Sequence, residues 1–327
     1  MRLPLSGLRQ DAHGLRRSSG VSLIELIVVI TISGIIATVL GAIIVRPIQG
    51  YEAQVRRAQL VDAAEMAVRR LGRDIRQALP NSVRIRDNGA GVNSVSCATA
   101  GSACTIEMLN TTDGARYRDG PGNIGHDHGP TRYRLKFNGA DNDGFNIVGF
   151  FQNITVPFTS TTQRLSIYNQ GVTNADAYAD ANLPAGPYVI TNPNLPANTT
   201  FTINNDDGAP PDEHQILPIG GATFRFRYAS PNQRVYVVDT PVSYVCNAGA
   251  NGNIMRYSNY PITAAQQSTP VGTTPVLLST PVTACNFSYS PGTNQRAGLV
   301  TLDITVRDNA SGEQVRLLYQ VHVDNSP

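Results

Sequence analysis

One carboxylate and four thiols are the residues of this 327-residue chain whose type and position could do chemistry. Glu25 lies in SGVSLIELIVVIT, near the start of an apolar run. An ionisable side chain inside a bilayer-like segment costs roughly 2 to 3 kcal/mol or more, so it is read first as functional. Its chemistry there would be charge pairing. The cysteines, Cys97, Cys104, Cys246 and Cys285, are an even set that lies beyond the apolar run, which suits two disulfides if that part is exported. Four cysteines permit three pairings, and loop closure favours the local ones, Cys97 with Cys104 and Cys246 with Cys285. Neither spacing has the close C-x-x-C pairs of a zinc site.

Other signatures argue against an enzyme. There is no G-x-S-x-G elbow, phosphate-binding glycine loop or H-E-x-x-H helix. His126 and His128 in GHDHG point the same way on an extended chain but have no visible third ligand, so a hydrophilic loop is the expectation. The acidic stretches NGADNDGFN (138–146) and NNDDGAPPDE (204–213) lack the acid and glutamate positions of a calcium loop and read as turns. No cofactor, metal or catalytic residue is expected. With a formal net charge of +2, no strong field attracts nucleic acid or acidic substrates.

The elements that would position Glu25 come from the first 80 residues. Residues 1–20 carry Arg2, Arg9, Arg16 and Arg17 against one acid, Asp11. The run 26–45, LIVVITISGIIATVLGAIIV, is uncharged and ends at Arg46. At about 1.5 Å per residue it spans a hydrocarbon core of roughly 30 Å. The basic leader should stay in the cytoplasm and send the rest outward. A secretory signal has its small-residue cleavage site after the apolar run, whereas here Gly20 precedes it. Cutting after Gly20 would discard the leader, keep the membrane helix and make Glu25 the fifth residue of the mature chain. A plain signal anchor with Glu25 snorkelling to the interface is the simpler alternative.

The ordered pattern of basic leader, glycine, hydroxyl residue, glutamate and retained apolar run, G-V-S-L-I-E at residues 20–25, resembles the type IV pilins and type II secretion pseudopilins. Val21 stands where that family usually has phenylalanine. The resemblance implies that a membrane-embedded prepilin peptidase cuts after Gly20 and methylates the Val21 amine. It also implies that Glu25 pairs with the N-terminal amine of a neighbouring subunit in the filament. The partners it implies are other major and minor pilins, through the N-terminal helix, and an inner-membrane assembly platform. Farther along, RRLGRDIRQALPNSVRI, VYVVDTPVSYVC with MRYSNY, and SGEQVRLLYQVHVDNSP are similar to the MshO-type minor pilins of the mannose-sensitive haemagglutinin pilus. That implies a non-enzymatic minor pilin acting in pilus initiation or at the tip, in support of surface attachment. A minor pseudopilin of a type II secretion system and an adhesin or DNA-binding tip module are the competing readings.

The expected fold is α+β and pilin-like: a long N-terminal helix packed on an antiparallel head with long loops. Four segments are expected: a leader at 1–20, an assembly helix at 21–46, an amphipathic half at 47–80 and a β-rich head at 81–327. Pro47 and Gly50 could kink the helix. Beyond them Leu60, Ala64, Ala67, Val68, Leu71, Ile75 and Leu79 recur at helical spacing, and Pro80 and Asn81 end the pattern. The arginines at 56, 57, 69, 70, 73 and 76 alternate with Glu52, Asp62, Glu65 and Asp74, which reads as a solvated face with ion pairs rather than a nucleic-acid surface. In the head, alternation at 300–306 and 315–323 around a turn at 309–312 predicts a hairpin. ATFRFRYAS and RVYVVDTPVSYVC around SPNQ predict a second. YRLKF and FNIVGFF read as strand pieces, and 158–215 as an elaborated surface loop region.

Overall fold

The computed structural model describes residues 20–97, 101–118, 134–137, 139–141, 143–184, 186–193, 200–206, 213–292 and 296–323. Two compact units divide between Val55 and Arg56. Helix α1 (Leu23–Arg76) includes Pro47, and among the described residues the first unit consists of the start of this helix and the residues preceding it.

In the second unit the helix is amphipathic for a packing reason. Ala64, Val68, Leu71 and Ile75 recur at intervals of three and four, so they share one face and are buried. The helix stops at Arg76, four residues short of Pro80. Leu79 therefore does not continue the helical stripe; it joins a separate cluster with Leu109, Tyr178, Val189 and Val238.

Among the described residues fourteen strands follow: β1 (Arg84–Asp87), β2 (Val92–Ser94), β3 (Cys104–Arg116), β4 (Phe145–Asn146), β5 (Phe158–Thr159), β6 (Arg164–Ser166), β7 (Phe201–Asn205), β8 (His214–Pro218), β9 (Arg234–Asn247), β10 (Asn253–Tyr257), β11 (Val276–Ser279), β12 (Val282–Ser290), β13 (Gly298–Arg307) and β14 (Gln314–Val323). A short helix, α2 (Ala177–Asp180), is capped by the Asp176 side chain, which accepts from the Tyr178 amide. The strands form three antiparallel sheets, ordered β11-β10-β9-β3-β1-β2 with β6 also on β9, β12-β13-β14, and β4-β8-β7-β5. This is the α+β, helix-plus-antiparallel-sheet architecture expected.

The predicted β13–β14 hairpin forms, with Val306 opposite Val315 and Val300 opposite Val321. Strict alternation buries Val300, Leu302, Ile304 and Val306. At its turn the Asp308 carboxylate accepts from the amides of Ala310 and Ser311, and Gly312 takes the positive φ that other residues resist. The helix face and strands of the seven-stranded and three-stranded sheets enclose one core, with Leu71, Ile106, Tyr244, Phe287 and Leu302 among its members.

Three expectations for the head are overturned. Residues 222–230 do not pair with β9, because β3 runs along one edge of that strand while β6 and β10 share the other. The alternating phenylalanines instead make isolated bridges, Phe224 to Asp141 and Phe226 to Tyr188, and enter a second core. The hairpin partner of β9 is β10. Nor is 158–215 a surface loop: Leu165, Ile167, Phe201 and Ile203 are fully buried in that second core, and Tyr178, Val189 and Ile190 in the third. Of the two strand pieces, YRLKF forms no strand over its described residues 134–137, and FNIVGFF contributes only β4 and a bridge from Ile147 to Tyr117.

Candidate functional site

The amino-terminal unit carries the candidate assembly site. Gly20 is exposed with open space where a Cβ would stand, Val21 is 70% exposed, and Glu25 lies exposed in the first turn of α1. The Leu26 amide donates to the Ser22 carbonyl at 3.1 Å, which starts the ladder. A carboxylate in the first turn also complements the positive end of the helix dipole.

From Leu23 to Val45 the helix presents its apolar side chains outward: Ile24, Ile27, Val29, Ile35, Leu40 and Ile43 are all about half exposed or more. The most apolar 18-residue window has a mean hydropathy of 2.7 and no buried residue. Its two threonine hydroxyls need no outside partner, since Thr31 Oγ1 lies 2.9 Å from the Val28 carbonyl and Thr38 Oγ1 2.8 Å from that of Ile35. A helix whose backbone and threonine hydroxyls are satisfied internally suits hydrocarbon, and this one is long and apolar enough to cross a membrane. Glu25 is the single ionisable side chain over residues 23–45. No side chain of opposite sign stands on that stretch.

The head unit uses its buried charges structurally. Asp74, expected on the solvated face of α1, is buried: it accepts from the Tyr244 hydroxyl at 2.7 Å and from Arg256 Nε at 2.8 Å, with Arg70 Nε at 3.4 Å. Burial and the adjacent carboxylate push the Tyr244 hydroxyl well above its ordinary range. On the exposed side of the helix the expected pairing does form one turn apart, where Arg69 Nη2 meets the Glu65 carboxylate at 2.5 Å. Arg84 Nε donates to Glu107 at 2.8 Å, and Tyr260 bonds both Glu107 and Ser243. Burial raises the Glu107 carboxyl above its usual value even against Arg84. Arg118 pairs with Glu213.

The four cysteines form Cys97–Cys104 and Cys246–Cys285. Residues 96–97 run beside β12, bridging Ser288 and donating the Cys97 amide to Phe287 at 3.2 Å, which delivers Cys97 to the start of β3. Cys246 links β9 to β12, one sheet to another. Among the described residues no group of three or more His, Cys, Asp or Glu could hold a metal ion. His126 and His128 lie outside them. In the 138–146 stretch Asp141 is buried and accepts from the amides of Lys136 and Asp143, so its oxygens close a turn. In the 204–213 stretch the described Asp206 accepts from Asn146 and from the Glu213 amide.

Sequence reasoning missed Asp74 and also Arg164, a buried arginine at the start of β6. For Asp74 the one available signal was its place between Leu71 and Ile75 on the buried stripe, which an acid enters only with partners.

Compared with known families, residues 15–41 match the prokaryotic N-terminal methylation motif. That motif supports a type IV pilin-like or pseudopilin-like chain: it is a prepilin signal, marks structural filament components rather than an enzyme family, and goes with prepilin peptidase processing and single-pass anchoring by the apolar helix. No curated protein and no solved structure matches the chain.

Proposed function

We propose that the chain is a non-enzymatic subunit of a type IV pilus, made as a precursor, cut after Gly20 and methylated on the Val21 amine. The observation that carries this reading is Glu25, the single ionisable side chain on an exposed apolar stretch of helix, five residues from a glycine that ends a basic leader. In the bilayer the helix holds one subunit, its head facing the periplasm. When an assembly platform extrudes it, Glu25 meets the N-terminal amine of a neighbour and the two charges neutralise each other. Removing one partner of such a buried pair costs more than forming it gains, about 3 to 5 kcal/mol, so the pair acts as a registry device. The proposed segments are a leader at 1–20, an assembly helix at 21–46, an amphipathic segment at 47–80 whose helix ends at Arg76, and the head from 81.

Within that class the chain acts as a minor pilin of the mannose-sensitive haemagglutinin type, at the tip or in initiation, in support of surface attachment. What supports this is the set of similar segments at the end of α1, in β9 and β10, and in β14.

The test is the intact mass of the membrane protein with and without prepilin peptidase. A mature chain beginning at methylated Val21, seen only with the peptidase, is the expected result. An unprocessed chain, or one cut after the apolar run, overturns the reading. Glu25→Gln should still be cut, yet its incorporation into sheared filaments should fall on the order of a hundredfold, the loss of the pair expressed as an equilibrium ratio.

A further inference from the structure

Among the described residues Arg164 is the one lysine or arginine buried outright, at 5% exposure. Four other arginines that approach the interior of the head meet a carboxylate: Arg84 meets Glu107, Arg118 Glu213, Arg227 Asp180 and Arg256 Asp74. Arg164 does not. Its Nη1 donates to the carbonyls of Ala181 at 2.7 Å and Thr191 at 2.9 Å, and the N–H groups on Nε and Nη2 have no partner among the described residues. Burial with no compensating acid draws its pKa down to about 10.

Two backbone carbonyls hold one side of the guanidinium, and the Nε and Nη2 donors on the other side stay reachable from solvent, where a ligand could replace water. The Nε and Nη2 donors form the fork that accepts a carboxylate in bidentate geometry. Arg164 also lines a cavity of about 360 Å³, within the range of small-molecule sites. Asp239, Thr162, Thr240 and Asn259 line it with polar groups, and Pro261 and Ile262 with apolar surface. Asp239 is half-buried and has no hydrogen-bond partner among the described residues. A second carboxylate on the same wall repels a dianion such as phosphate and favours a monoanion that brings its own donors.

We propose that this cavity binds a sugar acid, either free hexuronate or its glycosidic unit, with the carboxylate on Nε and Nη2 of Arg164 and the hydroxyls on Asp239, Thr240 and Asn259. The volume and the spread of hydroxyl, amide and carboxylate groups suit a polyhydroxylated ring, and the proline and isoleucine surface suits its apolar face. Such a site lies wholly in the head unit, does not depend on filament assembly, and would give a subunit displayed at a surface a specific acidic glycan to hold.

The experiment is a ligand-observed NMR titration of the full chain, in a detergent without a sugar headgroup, using glucuronate, glucose and inorganic phosphate. Glucuronate should bind with a Kd on the order of 1 mM, as a single small contact set allows, and glucose and phosphate at least about tenfold more weakly. Arg164→Gln should abolish glucuronate binding. Since that change could unfold the head, Thr162→Trp, at an exposed position on the cavity wall, supplies an independent block that should remove binding with an unchanged melting temperature. Asp239→Asn should keep glucuronate and admit phosphate, with a gain of about tenfold for the latter. Absence of glucuronate binding, glucose binding as well as glucuronate, or binding that survives Thr162→Trp overturns the proposal.

Discussion

His214 is buried against Phe151 of the second core. Its Nδ1 accepts the Phe151 amide at 3.1 Å, Phe150 packs edge-on at 4.9 Å, and burial lowers its pKa below the ordinary 6.5. A cation there would lose that hydrogen bond and its hydration together. The linkage has a definite sign: as pH falls below about 6.5 the unfolded chain takes up the proton before the folded one, so stability declines until the lowered native pKa is passed. The expected slope is at most about 1.4 kcal/mol per pH unit. His214→Asn, whose side-chain oxygen can accept the same amide, should flatten the difference in denaturant midpoint between pH 7 and pH 5. An unchanged slope in the variant would remove His214 from the account. Single residues were legible in the sequence only where their cost is local. Glu25 declares itself because every neighbour is apolar. Asp74 and His214 do not, since the Tyr244 and Arg256 that complete Asp74 stand 170 and 182 residues away and His214 bonds a backbone 63 residues distant.

At the scale of elements, periodicity was readable wherever one face packs and the other is wet, as in the buried stripe of α1 and the β13–β14 hairpin. It failed for residues 222–230, whose F-R-F-R alternation is that of a strand but whose neighbour β9 already has both edges occupied. Polar composition concealed the buried residues between 158 and 215, because β6 buries the polar Arg164 and Ser166 beside Leu165 and β7 buries only alternate side chains. The disulfides restrain different elements. Cys97–Cys104 closes a sequence separation of 7, and Cys246–Cys285 one of 39 while also tying two sheets together. Loop-closure entropy assigns about 2 kcal/mol to the first and about 4 kcal/mol to the second. The paired change Cys246→Ala with Cys285→Ala should therefore lower the unfolding free energy more than Cys97→Ala with Cys104→Ala, by about 1.5 kcal/mol in urea titrations. Equal losses would mean that the short bridge holds residues 96–97 on β12 by more than its loop length.

For the whole molecule, the consequence of size bears on where in a filament the chain can stand. Three sheets and three further clusters of buried side chains beyond the main core make the unit from Arg56 large. Compact-domain scaling gives a chain of that length a radius of gyration of about 18 Å, against about 13 Å for a 100-residue domain. A filament shaft is a heterologous, open helical array in which every subunit repeats the same contacts, so the space for each head is fixed by the spacing of the packed helices. An oversized head can be accommodated at an end, where one set of neighbours is missing, far more easily than at each position along the shaft. If the proposed assembly is right, sheared filaments should contain this chain at well under about one copy per ten main subunits, measured by quantitative peptide mass spectrometry. Near-equal abundance would place the head along the shaft and remove the argument for a tip or initiation role, while leaving the pairing at Glu25 untouched. The terminal position also gives Arg164 its use, because a ligand site on a head at the end of a fibre meets a surface before the shaft does.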